Sequence, residues 1–77
     1  MQIQYDKIIT DQVSTTVTYV GYAQNAYALT SASVWAILRI TAASATEPVG
    51  VTLFEWATGP ELFSNVWDNR TGLTYRA

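Results

Sequence analysis

The side chains able to do acid-base work are six carboxylates, Asp6, Asp11, Glu47, Glu55, Glu61 and Asp68. Catalysis by paired carboxylates needs two of them to converge on one substrate, and only Glu55 and Asp68 adjoin an aromatic cluster. Composition closes most other routes. The chain has no cysteine and no histidine, which excludes a disulfide framework, a Cys/His zinc site and a Cys-His or Ser-His nucleophile. Gly21, Gly50, Gly59 and Gly72 are isolated, so no glycine-rich loop cradles a phosphate. Asn69-Arg70-Thr71 fits a glycosylation acceptor triplet, a pattern that is common by chance. Pairing of Asp68 or Glu55 with Arg70 or Arg39 accounts for the two carboxylates better than catalysis does. The expectation is a protein that is not an enzyme, with no cofactor, no metal and no small-molecule substrate.

The aromatic cluster is the stretch from Phe54 to Tyr75, which holds both phenylalanines and two of the three tryptophans. Exposed aromatics can stack bases or sugars, but a domain of this size needs most of them as core, and tyrosines on strands are common at interfaces. Core or subunit contact is therefore the expected role. Tyr5, Tyr19, Tyr22, Trp35, Trp56 and Trp67 are the candidates for it.

Bulk composition points the same way. A chain of 77 residues forms one domain and buries only about 60% of its unfolded surface. Disulfides, metals or partner subunits usually close the resulting stability gap, and without cysteine or histidine oligomerisation or docking remains. Hydrophobic residues make up 49% and charged residues 13%, well under the roughly 25% charge of an ordinary soluble domain. The net charge of -2, with Lys7, Arg39, Arg70 and Arg76 scattered, gives no footprint for nucleic acid. Val13 to Leu38 carries no charge but is punctuated by Ser, Thr, Asn and Gln, so it is not a membrane span. Met1 to Gln12 lacks the basic and apolar segments of a cleaved signal peptide, which leads us to expect synthesis in the cytoplasm.

These side chains must be positioned by strands. Residues 1–10 are expected to form a short strand or free arm, Asp11-Gln12 a turn, and Val13 to Ala23 the first strong strand, rich in β-branched residues. Gly21 within it marks a bulge or a close backbone approach. Gln24 to Ser33 is a loop. Ser33 to Ala42 alternates between a fully apolar face (Val34, Ala36, Leu38, Ile40) and a mixed one (Trp35, Ile37, Arg39, Thr41). After a loop at Ala43 to Pro48, Val49 to Ala57 returns as its antiparallel hairpin partner. Trp35 and Ile37 are expected to cluster with Phe54 and Trp56, and Leu38 and Ile40 with Val51 and Leu53. A helical turn is expected at Pro60 to Phe63, a turn at Thr71-Gly72, and an edge strand from Leu73 to Arg76. The predicted fold is all-β: one domain over residues 1–77, a small antiparallel β-sandwich or barrel of about four or five strands with one short helical turn.

Read in order, Thr18-Tyr19-Val20-Gly21-Tyr22-Ala23, Val34-Trp35-Ala36-Ile37-Leu38-Arg39-Ile40, Phe54-Glu55-Trp56-Ala57-Thr58-Gly59, Phe63-Ser64-Asn65-Val66-Trp67-Asp68-Asn69-Arg70 and Leu73-Thr74-Tyr75 resemble a family of very small virion-associated structural proteins of tailed bacteriophages. The likeness runs from about Thr18 to Tyr75 and departs at Leu38-Arg39-Ile40, where the family strand is more polar, and at Pro60. It implies a structural role in the virion and carries no catalytic residues. Trp56 with Gly59, and Trp67 with Asp68 and Arg70, are the positions that match. Trp56 and Trp67 are expected to anchor the fold, and Asp68 and Arg70 to form a charge-assisted pair that fixes the last turn.

The function this implies is assembly in many copies, as a decoration or cement protein of the capsid or as a head-to-tail or tail component. The expected partners are other copies of the chain and major capsid or tail proteins, with no nucleic acid and no membrane. The N-terminal arm would add a strand to a neighbouring sheet. The alternative is an accessory module that binds a receptor or glycan by stacking on an exposed Trp35 or Tyr22. A third reading, an acidic mimic that inhibits a host protein, is poorly served by six scattered carboxylates.

Overall fold

β-Branched and aromatic residues concentrate in the segments that become strands, where such side chains pack well on a pleated surface. The computed structural model describes residues 5–42, 52–59 and 61–76. The strands are β1 (Lys7–Gln12), β2 (Val17–Ala23), β3 (Ser33–Thr41), β4 (Leu53–Ala57), β5 (Asn65–Val66) and β6 (Tyr75–Arg76). All pair antiparallel into one six-stranded sheet of order β1-β2-β3-β4-β6, with β5 beside the start of β3. A 3-10 helix, Trp67–Gly72, separates β5 from β6. The all-β antiparallel class with one short helical turn is what the sequence predicted.

Register assigns the faces, because directly opposed residues of antiparallel strands project to the same side. One side, the inner face, carries Ile9, Val17, Tyr19, Gly21, Ala23, Trp35, Ile37, Arg39, Glu55, Ala57 and Tyr75. The 3-10 helix brings Trp67 onto it, so that Tyr19, Ala23, Ala28, Trp35, Ile37, Ala57, Trp67 and Tyr75 form the core. Trp35 and Ile37 are fully buried. Gly21 makes this closeness possible, since a Cβ there would lie 2.6 Å from Trp67 Cε3 and 3.0 Å from Trp35 Cε3. The expected close backbone approach at this glycine is therefore correct.

Several boundaries differ from the sequence reading. Asp11 and Gln12 belong to β1 and not to a turn; the turn is Val13 to Thr16, where Ser14 Oγ accepts hydrogen bonds from the N–H groups of Thr16 and Val17. Serine and threonine satisfy local backbone groups in this way at the expense of strand pairing. Of the short strand or free arm expected over residues 1–10, Lys7 to Thr10 take the strand, paired in register with Val20 to Ala23. The helical turn sits at Trp67–Gly72, whereas Glu61 N–H is held by Ser64 Oγ in a non-helical turn. Thr71-Gly72 ends that 3-10 helix, and the edge strand is confined to Tyr75–Arg76. Met1 to Gln4, the loop from Ala43 to Pro48, Val49 to Val51 and Pro60 lie outside the described residues.

The pairing of apolar clusters is also corrected. Leu38 lies opposite Trp56 and Ile40 opposite Phe54, so Trp56 and Phe54 share a face with Leu38 and Ile40, not with Trp35 and Ile37. A one-residue slip in register exchanges the faces of a whole strand.

Candidate interaction surface

The second side of the sheet, the outer face, carries Ile8, Thr10, Gln12, Thr18, Val20, Tyr22, Val34, Ala36, Leu38, Ile40, Phe54, Trp56 and Arg76. Val20, Ala36 and Leu38 are buried at its centre, whereas Ile8 and Phe54 are 55% and 57% exposed. Aromatic rings run across it: Tyr5 lies 4.8 Å from Tyr22 and 6.0 Å from Phe63, and Tyr22 lies 5.8 Å from Trp56. The tilted arrangement, 43° to 46° between planes, suits the quadrupoles of the rings. This row joins the segment before β1 to β2 and β4 along a nearly uncharged surface.

The candidate residues therefore divide between the two faces. Tyr5, Tyr22 and Trp56 meet on the outer face, while Tyr19, Trp35 and Trp67 belong to the core. Trp35, one of the two residues on which the glycan-binding alternative could stack its ligand, is 0% exposed, and its Nε1–H donates to Leu29 O at 2.9 Å. Trp35 and Trp67 pack with centroids 6.0 Å apart. An indole needs its one donor satisfied when buried, and the Gln24 to Ala32 loop supplies the acceptor.

Arg70 does not pair with Asp68. Its Nε and Nη2 donate to Asp11 Oδ2 at 3.1 Å and 2.6 Å, its Nη1 donates to Trp67 O at 3.2 Å, and its guanidinium carbon lies 4.6 Å over the Trp67 ring. Asp68 is exposed on the 3-10 helix. Two residues apart on a 3-10 helix, Asp68 and Arg70 point in different directions. Asp11 is thus a structural residue that the sequence reading missed; only its charge, on an alternating strand, could have flagged it. The pairing of Arg39 with Glu55 is present at 2.9 Å, and Arg39 also lies 4.6 Å over the Tyr75 ring. The salt bridge holds the Arg39 pKa above its ordinary value, against the opposing pull of desolvation. Burial, followed by the neighbouring Tyr19, pushes the Tyr75 hydroxyl up to about 12.

Two further features were not foreseen. Asn65 is buried in β5, its Nδ2 donating to Trp35 O at 3.3 Å and Leu62 O at 3.4 Å, where β5 meets β3 at an irregularity in register. Tyr27 is 89% exposed on the loop between β2 and β3, and that loop is pinned by Lys7 Nζ donating to Ala28 O and by Asp68 N–H donating to Thr30 O. Its position beside Asn25, a turn former, was the only available signal.

Glu55 is committed to Arg39, and Asp68 stands apart beside a shallow hollow of about 420 Å3 lined by Asp68, Asn69, Thr71, Gly72 and Leu73. Among the described residues no group of three His, Cys, Asp or Glu is placed to hold a metal, and no helix is long and apolar enough to cross a membrane. The chain matches no protein-family model, no curated protein and no solved structure.

Proposed function

We propose that this chain is a non-enzymatic structural protein of a tailed-phage virion. It is made in the host cytoplasm and assembles in many copies as a capsid decoration or cement protein, or as a head-to-tail or tail component. The observation that carries the reading is the outer face: aromatic rings in a row, with Ile8 and Phe54 left exposed at its margins. Apolar surface of this kind on a small domain marks a contact surface, and the motif likeness supplies the setting. Capsid or tail proteins and further copies of the chain are its partners. The test is quantitative mass spectrometry and antibody labelling of purified particles from the genome encoding the chain. A fixed copy ratio to the coat or tail protein supports the role; absence from washed particles overturns it.

The glycan-binding alternative now rests on Tyr22 and Trp56, whose rings are neighbours on the outer face. A titration of host surface polymer followed by tryptophan fluorescence separates the readings, since a pure cement protein gives no response.

A further inference from the structure

We propose that two copies of the chain pair edge to edge through β1, antiparallel, with Thr10 on the two-fold axis, so that two sheets become one. This deepens the structural role proposed above by naming one partner and the strand that meets it, and it rests on the reading that the chain works through surface contact.

The backbone of β1 fixes which groups are free. Val13 N–H donates to Val17 O, and in the same register Asp11 faces Tyr19, Ile9 faces Gly21 and Lys7 faces Ala23. Hydrogen-bonded pairs alternate along an antiparallel ladder, so these odd-numbered residues spend their backbone groups on β2. The alternation across β2 agrees, because Ala42 N–H donates to Thr16 O and the even-numbered residues of β2 turn toward β3. Ile8, Thr10 and Gln12 therefore direct their N–H and C=O groups away from the sheet. Among the described residues nothing pairs with that edge of β1.

Exposed edges are normally blunted by charge, proline or a bulge. None of these stands on the outward positions of β1, which are Ile, Thr and Gln. Its two charged residues are turned inward: Lys7 Nζ donates to Ala28 O, and Asp11 accepts from Arg70. Inward charges of this kind can themselves discourage pairing, but both are engaged within the chain, so neither stands in the path of the outward backbone groups.

A second copy fits this edge better than a shifted or parallel strand does. With Thr10 opposite Thr10, Ile8 falls opposite Gln12 of the other copy, and every outward N–H meets an outward C=O. A shift of two residues leaves groups at one end unpaired. Lys7 becomes a diagonal neighbour of the other copy's Asp11 on the inner face, and the diagonal approach of the two Asp11 carboxylates across the axis is offset because each is already held by its own Arg70. Asp11 has an oxygen to spare, since both Arg70 contacts land on Oδ2. Parallel stacking in register would instead set Lys7 against Lys7 and Asp11 against Asp11. Pairing also extends the outer face, where Ile8 gains a neighbour on its free side.

Sedimentation equilibrium of the full chain, as wild type and as Thr10→Lys and Thr10→Glu variants, tests the pairing. Wild type is expected to dimerise. Each variant alone is expected to weaken the dimer by up to about fivefold, because like charges meet on the axis, with its circular dichroism unchanged and its Tm equal to that of wild type at concentrations where both are monomeric. An equimolar mixture of the two variants is expected to restore a dimer, which only an axis at position 10 explains. Hydrogen exchange on wild type gives a readout free of mutation. The amides of Ile8, Thr10 and Gln12 are expected to be protected when concentrated and to lose protection on dilution, while those of Ile9 and Asp11 stay protected. A wild-type monomer at hundreds of micromolar, unlimited polymers in place of a dimer, or no rescue on mixing overturns the pairing. Particle composition is measured separately, so a monomer found in particles removes the β1 pairing alone, and a dimer absent from particles removes the virion role alone.

Discussion

Arg70 grips Asp11 across 59 residues of chain, with Nε at 3.1 Å and Nη2 at 2.6 Å from the same carboxylate oxygen. The contact ties the 3-10 helix to the edge strand β1 and leaves the guanidinium stacked on Trp67. Both partners are partly shielded, with side chains 23% and 33% exposed, so the pair exceeds the small contribution of a fully exposed bridge. Asp11→Asn should destabilise by about 1 kcal/mol, roughly a 4–8 °C fall in Tm for a domain of this size. Arg70→Ala should cost more, because the packing on Trp67 goes with the charge. Asp68→Asn should stay within about 0.5 kcal/mol of wild type. Thermal melts that rank Asp68→Asn as the most harmful of the three would reject the observed pairing.

Gly21 and Gly72 give an opposed pair of substitutions. A methyl group at Gly21 meets Trp67 at 2.6 Å and 2.8 Å, and core overpacking costs about 1–3 kcal/mol or more. At Gly72 nothing lies within 4 Å of the added Cβ, so Gly72→Ala should be neutral or raise stability by up to about 1 kcal/mol through the unfolded state. Chemical denaturation of both variants checks the contrast. A Gly21→Ala protein as stable as wild type would mean that Trp67 does not close over the sheet.

Tyr75 should make the fold sensitive to alkali. An unfolded tyrosine ionises near 10, whereas burial holds this hydroxyl un-ionised up to about 12. Below pH 10 both states keep the proton, and the contribution is fully present. Between 10 and 12 the unfolded chain releases a proton that the folded chain retains, so stability falls by up to about 1.4 kcal/mol per pH unit. Tyr75→Phe loses the 2.7 Å bond from the hydroxyl to Arg70 O, about 1 kcal/mol at neutral pH, but it also loses this slope. Denaturation curves from pH 9 to 12 should therefore bring the variant level with wild type or above it. Parallel pH profiles would contradict the burial of the hydroxyl.

How much of this was legible in the sequence depends on what each feature requires. β2 and β3 were visible because β-branched and aromatic residues fill them over a length too short for most helices. The start of β2 was misplaced because threonine serves strands and turns alike, and Ser14 decided the matter by capping Thr16 and Val17. The inner face of β3 could not be chosen from alternation, since both of its sides carry large apolar residues; Trp67, more than 25 residues away, makes the choice. It selected the mixed face with Trp35 and Ile37 and left the fully apolar face outward. Arg70 was assigned its neighbour in sequence because a partner on another strand leaves no local trace. The outer aromatic row needed the register of three strands and one residue, Tyr5, that packs against β2 only in three dimensions.

Trp56 should report on the outer face alone. Of the three tryptophans, Trp35 and Trp67 are core residues, while Trp56 is half-buried beside Tyr22. Iodide reaches only indoles near the surface, so quenching should act on a fraction of the emission and leave a protected remainder. Trp56→Phe should remove most of the quenchable part and, being a change between aromatic rings at a partly exposed site, shift stability by less than about 1.5 kcal/mol. Trp35→Phe should do the reverse: it deletes the bond to Leu29 O and opens space at a fully buried site, costing about 1–3 kcal/mol without lowering the quenchable fraction. If the proposed virion role holds and capsid or tail proteins cover the outer face, their addition should shield Trp56 in wild type. Trp56 left equally open to iodide in the assembled state would move the contact to another surface, and unchanged quenching in Trp56→Phe would refute the assignment of the faces themselves.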